Sequence, residues 1–164
     1  AWQTAIEHRT GPVALILTRQ KLPLIDRSKF ASAAGVAQGA YVLAETHPTP
    51  ELILLASGSE VQHIVAAYET LAREQVRVRI VSMPSWELFE RQSKDYRNRV
   101  LPPSIKKRLA IEAGVPMGWK AYVGDDGTVI AINHYGASAP AERIFTEYGI
   151  TTANVLAHAR ALLG

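Results

Sequence analysis

Apolar residues along the chain fall into short runs, and these runs predict β-strands. Leu52–Ala56 is an uninterrupted apolar run, the pattern of a strand that is buried on both faces. Val13–Leu17 shows the same pattern. In the segment VRVRIV at 76–81 apolar and polar residues alternate at first, so Arg77 and Arg79 are predicted to point away from Val76, Val78 and Ile80. Further runs predict strands at Gly39–Glu45, Leu109–Glu112 and Thr128–Asn133.

Segments with helical spacing separate these runs. After Ser59, a predicted N-cap, the helix Glu60–Arg73 places its apolar residues on one face. Ser85 is a predicted N-cap for SWELFERQ, and Thr151 or Thr152 for a last helix that ends at Leu163. Gly149 is predicted to follow the end of a helix from about Pro140 to Glu147. Strands that alternate with helices predict an α/β fold, a three-layer α/β/α sandwich around a mostly parallel sheet of about five strands.

Composition limits the class of protein. The chain has 164 residues, of which 48% are hydrophobic and 20% charged, the balance of one globular domain. It has no cysteine, which fits the cytoplasm or a plastid stroma, and no apolar run long enough to cross a membrane, so no membrane partner is predicted. The first residues, AWQTAIEH, resemble the end of an amphipathic helix, and we therefore expect the chain to continue a longer protein.

The net charge of +3 is unevenly distributed, with a basic stretch between Arg91 and Arg108. Such a stretch could bind a nucleic acid or an acidic partner, or it could be a solvated loop and helix end. Tyr96 is its only aromatic residue suited to base stacking, so the solvated surface is favoured and no nucleic acid is predicted.

A glycine turn follows the strand Leu52–Ala56, in the segment SGSEV at 57–61. A strand, a glycine turn and a helix can together cradle a phosphate. However, neither the dinucleotide fingerprint nor the P-loop motif is present, and Glu60 would repel a phosphate at this helix start. The capping interpretation is therefore favoured. The five histidines show no metal-ligand spacing, and no serine lies in a nucleophile elbow.

Arg19 is the one candidate binding residue that position alone indicates. It follows the predicted strand Val13–Leu17 at its carboxyl end, where open α/β sheets bind ligands. Its planar guanidinium suits a phosphate or a carboxylate. The alternative from pattern alone is an arginine that pairs with an acidic side chain or lies in solvent.

Several stretches together resemble the carboxyl-terminal part of transketolases. They are GPVALILTRQKLP at 11–23, LILLASGSEV at 52–61, VRIVSMPSWELFERQ at 78–92, RLAIEAG at 108–114 with Gly118-Trp119 and Tyr122-Val123-Gly124 behind it, and HYGASAP at 134–140. The resemblance implies two units: residues 1–24 as a remnant of the pyrimidine-binding domain with a linker, and residues 25–164 as the C-terminal α/β domain. It further implies a mixed sheet with one antiparallel strand.

The resemblance also implies a function. Transketolases transfer a two-carbon ketol unit from a ketose phosphate to an aldose phosphate, with thiamine diphosphate and a divalent metal (Mg or Ca), in the pentose phosphate and Calvin pathways. In the stretch Thr18-Arg19-Gln20, similar to the family's S-R-Q, Arg19 is the expected ligand of the sugar phosphate. The family's G-D-G…N stretch and its activating glutamate do not occur, so no catalytic, cofactor-binding or metal-binding residue is expected here. The expected partners are sugar phosphates, the remaining domains of the enzyme and a second subunit in a homodimer.

Two alternatives stay open. The first is a regulatory or partner-binding α/β module, which SGSEV and the basic stretch would support. The second is the same domain of a dihydroxyacetone synthase or a deoxyxylulose phosphate synthase, although SMPSWELFE favours a transketolase. If Val13–Leu17 is a strand without neighbours, we expect it to pack on its own C-terminal domain or on another copy of the chain.

Overall fold

The computed structural model describes all residues from Ala1 to Gly164. It contains five strands, β1 Tyr41–Glu45, β2 Leu52–Ala56, β3 Val78–Ser82, β4 Arg108–Ile111 and β5 Thr128–Ile130. The α-helices are α1 Trp2–Glu7, α2 Val61–Arg73, α3 Trp86–Glu90, α4 Lys94–Val100, α5 Lys120–Val123, α6 Ala141–Glu147 and α7 Thr152–Leu163. None of these helices combines the length and the apolar character that crossing a bilayer requires.

The five strands form one mixed sheet in the order β1-β3-β2-β4-β5. β1 runs antiparallel to β3 at one edge, and the other pairs are parallel. Every residue of the central strand β2 is buried, as its uninterrupted apolar pattern predicts. The mixed sheet and its single antiparallel strand confirm the predicted fold class.

Helices cover both faces of the sheet and divide the core into two layers. On one face, Leu54 of β2 packs in a cluster that includes Ile64 of α2 and Val155 of α7. On the other face, Leu55 of β2 packs in a cluster that includes Phe89 of α3 and Trp119, which precedes α5. Because β-strand side chains alternate between faces, one apolar strand supplies both layers. This is the predicted three-layer α/β/α sandwich.

Helix ends follow the capping chemistry that the sequence predicts, with one exception described below. Ser85 Oγ accepts a hydrogen bond from the backbone N–H of Leu88 at 3.3 Å. Thr151 Oγ1 accepts one from Asn154 at 3.2 Å and begins α7. Gly149 has φ +71°, the left-handed conformation that ends α6.

The predicted strand Val13–Leu17 is wrong. No regular secondary structure occurs between His8 and Ala33, and Ile16 and Leu17 are 94% and 71% exposed. A strand requires a neighbour to satisfy its backbone groups, and the five strands of this sheet pair only with one another. The segment is not buried against the α/β domain, because four of its five residues are exposed and Leu15 is half-buried. The first residues of the chain to join the core are Ile25 and Phe30, which pack in the cluster beside α2 and α7.

Candidate functional site

The segment that precedes the sheet carries Arg19. Its side chain is exposed and forms no ion pair. The neighbouring contact is local, because the backbone N–H of Gln20 donates to Thr18 Oγ1 at 3.3 Å. Since Val13–Leu17 is not a strand, Arg19 does not lie at the carboxyl end of one. The fold brings Arg19 to no other candidate residue.

The SGSEV turn connects β2 to α2 through a short 3₁₀ turn, Gly58–Glu60. The predicted N-cap at Ser59 is wrong, because α2 begins after Glu60 without a side-chain cap. Ser59 Oγ instead donates to Glu60 Oε1 at 2.5 Å. The extra turn places Ser59 one residue too early to reach the amides of α2. Gly58 adopts φ +49° with open space where a Cβ would lie, so the turn needs glycine for its backbone conformation.

Two carboxyl groups meet where β2 and β4 end. Glu60 follows β2, is only 3% exposed, and lies beside Glu112, which follows β4. Ser57 Oγ donates to Glu112 Oε2 at 2.7 Å. The strands are parallel neighbours with Ala56 opposite Ile111, so residues just beyond their ends lie side by side.

The electrostatics of this pair follow from burial. Burial raises the pKa of Glu112, the negative charge of Glu60 raises it further, and the hydrogen bond from Ser57 opposes both effects. When it is protonated, the Glu112 carboxyl can donate a hydrogen bond to the Glu60 carboxylate. Because Glu60 is almost fully buried, the arrangement ties the loop after β2 to the loop after β4.

His63, one turn along α2, also lies near these groups. Its Nδ1 lies 3.1 Å from Thr152 Oγ1 at the start of α7, and its Nε2 is buried without a hydrogen-bond partner. Burial lowers the pKa of His63, and the negative charge of Glu60 opposes this shift. The imidazole therefore extends from α2 and packs against the start of α7.

Sequence reasoning missed the Glu60–Glu112 pair. The available signal was that Glu112 ends one predicted strand and Glu60 lies shortly after another, and that parallel strands have their carboxyl ends on the same side of a sheet.

The residues of this chain do not fit the diphosphate and metal that the family resemblance implies for the whole enzyme. No group of three or more His, Asp or Glu side chains is arranged to hold a metal ion. The sequence also has no G-D-G stretch that could bind a diphosphate. The acidic pair at the sheet edge would repel one.

The comparisons with known proteins agree on one family. The family model "Transketolase-like TK C-terminal domain" matches residues 39–151, which leaves Arg19 outside the matched range. A transketolase of Geobacillus stearothermophilus is 49% identical over 165 residues, which cover 100% of this chain and 25% of that protein. A transketolase of Aquifex aeolicus is 49% identical over 155 residues, or 94% of this chain and 22% of that protein. The chain thus spans about a quarter of the length of these curated relatives.

Solved structures give the same result. A transketolase from Leishmania mexicana matches 80% of this chain and 19% of its own, with a TM-score of 0.73 and 39% identity. A Pichia stipitis transketolase, solved in complex with sedoheptulose 7-phosphate, matches 88% of this chain and 20% of its own, with a TM-score of 0.76 and 29% identity.

Proposed function

We propose a function from one premise, that the chain belongs to the transketolase C-terminal domain family. The chain serves as the non-catalytic C-terminal domain of a transketolase. The whole protein would transfer a two-carbon ketol unit from a ketose phosphate to an aldose phosphate. The observation that carries this proposal is 49% identity to a transketolase along the full length of the chain. The mixed five-stranded sheet with one antiparallel edge strand supports it.

In this proposal the domain is a scaffold. Thiamine diphosphate and its divalent metal would bind to other parts of the enzyme, because the residues of this chain do not fit them. The partners of the domain would be the remaining domains of a homodimeric enzyme in the cytoplasm. The segment before the sheet exposes apolar side chains such as Ile16 and Leu17. Because exposing apolar surface to water is unfavourable, these side chains support a contact with those domains.

Arg19 is the one residue that we propose to contact substrate. Its guanidinium is free of intramolecular ion pairs and is therefore available to a phosphate. A phosphate oxygen pair matches the fork of guanidinium N–H donors, so the contact would favour phosphorylated over unphosphorylated sugars.

A chimeric enzyme tests both parts of the proposal. The carboxyl-terminal quarter of the Geobacillus stearothermophilus transketolase would be replaced by this chain, which aligns with it over the whole length of the chain. We expect a folded, active enzyme. An enzyme that folds and binds its cofactor but transfers no ketol unit would contradict the proposed role of the domain.

The Arg19→Ala variant of that chimera tests the phosphate contact. Loss of a charge-assisted contact of about 1.5–3 kcal/mol should raise KM for phosphorylated sugars about ten- to hundredfold and leave unphosphorylated acceptors unaffected. Arg9→Ala is the matched control, because Arg9 is also exposed in the segment before the sheet. Equal losses for both kinds of sugar would show that Arg19 does not bind the phosphate, without affecting the role of the domain.

A further inference from the structure

A groove lies where the parallel strand β4 begins, at the end of the sheet opposite the one where β4 leads into Glu112. Its volume is about 520 Å³, within the range of sites for small organic molecules. The apolar part of its lining includes Phe89, Leu101 and Val123, all of them buried residues of the second core cluster. The groove therefore has a rigid floor on which the body of a ligand could rest.

The rim of the groove is strongly charged and contains much of the basic stretch that the sequence analysis identified. The cations are Lys94, Arg97, Lys106 and Arg108, and the carboxylates are Glu90, Asp125 and Asp126. Three of these charges are already paired: Arg97 with Glu90, and Asp125 with Lys120, which is not among the lining residues.

The charges that are left do not balance. Lys94, Lys106 and Arg108 take part in no ion pair, and Asp126 is the only carboxylate of the lining without one. Three unpaired cations therefore face one unpaired carboxylate, and the whole lining holds four cations against three carboxylates. A concave surface with excess charge of one sign concentrates ions of the opposite sign.

Arg108 is held in place by the backbone alone. Its Nε donates to the carbonyl of Ile105 at 2.9 Å, and Nη1 donates to the carbonyl of Tyr122 at 2.6 Å. Nη2 donates to the carbonyls of Leu101 and Pro102, at 3.3 and 2.8 Å. These neutral acceptors fix the guanidinium but do not neutralise it, so its charge contributes to the field of the groove.

The remaining polar groups suit a hydroxylated ligand. Burial, and then the charge of Glu90, raises the pKa of Tyr122 to about 12, so its hydroxyl stays neutral at physiological pH. The carboxylate of Asp126 also lines the groove, and a carboxylate can accept a hydrogen bond from a ligand hydroxyl.

We propose that this groove binds a small hydroxylated phosphate monoester, with Lys94 and Lys106 contacting the phosphate and the sugar-like body resting on the apolar floor. A phosphate monoester carries a charge of about −1.5 to −2 near neutral pH, which matches the excess positive charge of the groove. The site is separate from Arg19 and does not depend on the function proposed above.

Titration of the ¹⁵N-labelled chain with ribose 5-phosphate, followed by NMR, tests this site. We expect saturable shifts at the amides of residues 94–98, 106–108 and 122–126, and a weaker apparent affinity at higher salt. Ribose, without the phosphate, should not shift these amides, and inorganic phosphate should bind more weakly than ribose 5-phosphate. Shifts that rise linearly without saturation, or that ribose produces equally, would overturn the proposal.

Charge variants separate a site from general attraction. Lys106→Glu should weaken the affinity for ribose 5-phosphate by about tenfold or more, and Lys106→Arg should retain it. Arg143→Glu makes a similar charge change at an exposed residue on α6, away from the groove, and should change the affinity by less than about twofold. Lys94→Glu provides a second reversal within the groove, and each variant's amide spectrum reports whether it is folded. Equal losses in the groove variants and in the α6 variant would contradict a specific site.

Discussion

Arg79 provides the most direct test of how this domain is held together. The side chain leaves β3 and is only 7% exposed, and its Nη2 lies 2.5 Å from the Glu45 carboxylate of β1. Its Nη1 donates to the carbonyls of Arg99 and Val100, at 2.6 and 3.1 Å. One guanidinium therefore ties the antiparallel edge strand to the end of α4. The informative perturbation is Arg79→Met, which keeps much of the apolar stem and removes the donors.

The expected cost follows from the groups that lose their donor. Each carbonyl loses a hydrogen bond from a charged group, a contribution of about 1.5–3 kcal/mol, although water recovers part of it. The ion pair contributes only about 1 kcal/mol, because the Glu45 side chain is 34% exposed. We therefore expect the free energy of unfolding to fall by about 3–5 kcal/mol, most of it from the two carbonyls that lose their charged donor.

Urea denaturation followed by tryptophan fluorescence measures this change by linear extrapolation. Arg77→Met is the matched control, because Arg77 lies two residues earlier and its side chain is 50% exposed, with Glu51 at 3.6 Å. It should lose less than about 1 kcal/mol. If the two variants lost the same free energy, the reasoning from burial would be refuted.

Further predictions concern Glu112 at the end of β4, the close contact of Gly39 and the cap of α7. Burial raises the pKa of Glu112 above its ordinary value of 4.5, so the stability that this carboxyl contributes should be fully present below pH 4.5 and be lost as the pH rises through the raised pKa. Glu112→Gln should flatten this fall in thermal melts across that range, and parallel wild-type and variant curves would contradict the assignment. Gly39→Ala should cost more than about 2 kcal/mol, because φ is +81° and its Cβ would lie 2.2 Å from Phe89 N. Gly58→Ala, with φ +49° but open space, should cost less in the same urea assay, and the reverse order would exclude a steric cause. Thr151→Ala removes the cap of α7 and should cost about 1 kcal/mol, with loss of helical circular dichroism on mild heating; an unchanged melt would contradict the role of the cap.

Local patterns predicted most of the fold because burial and periodicity agree there. β2 is uniformly apolar and lies at the centre of a sheet that is covered on both faces. Val13–Leu17 is just as apolar but forms no strand, because the pattern reports a tendency for burial and not the presence of a pairing partner. Arg79 shows a different limit of local patterns: alternation correctly placed its side chain on the face opposite Val78 and Ile80, but it did not reveal that this face is buried as well.

The candidate sites were less predictable because they depend on contacts between residues that are distant in sequence. Ser57 and Glu112 are 55 residues apart and meet only because β2 and β4 are neighbours in the sheet. The basic stretch was visible from the sequence, but its grouping around a groove depends on where α4 and α5 pack. The role of Arg19 came from the family resemblance, and it stays a prediction.

Calorimetric titration of this chain with thiamine diphosphate and Mg²⁺ tests the central claim, that the domain is a scaffold without cofactor-binding residues of its own. We expect no saturable heat up to millimolar cofactor, and the full-length chimera, as the positive control, should bind under the same conditions. A saturable signal with micromolar affinity from residues 1–164 alone would contradict it.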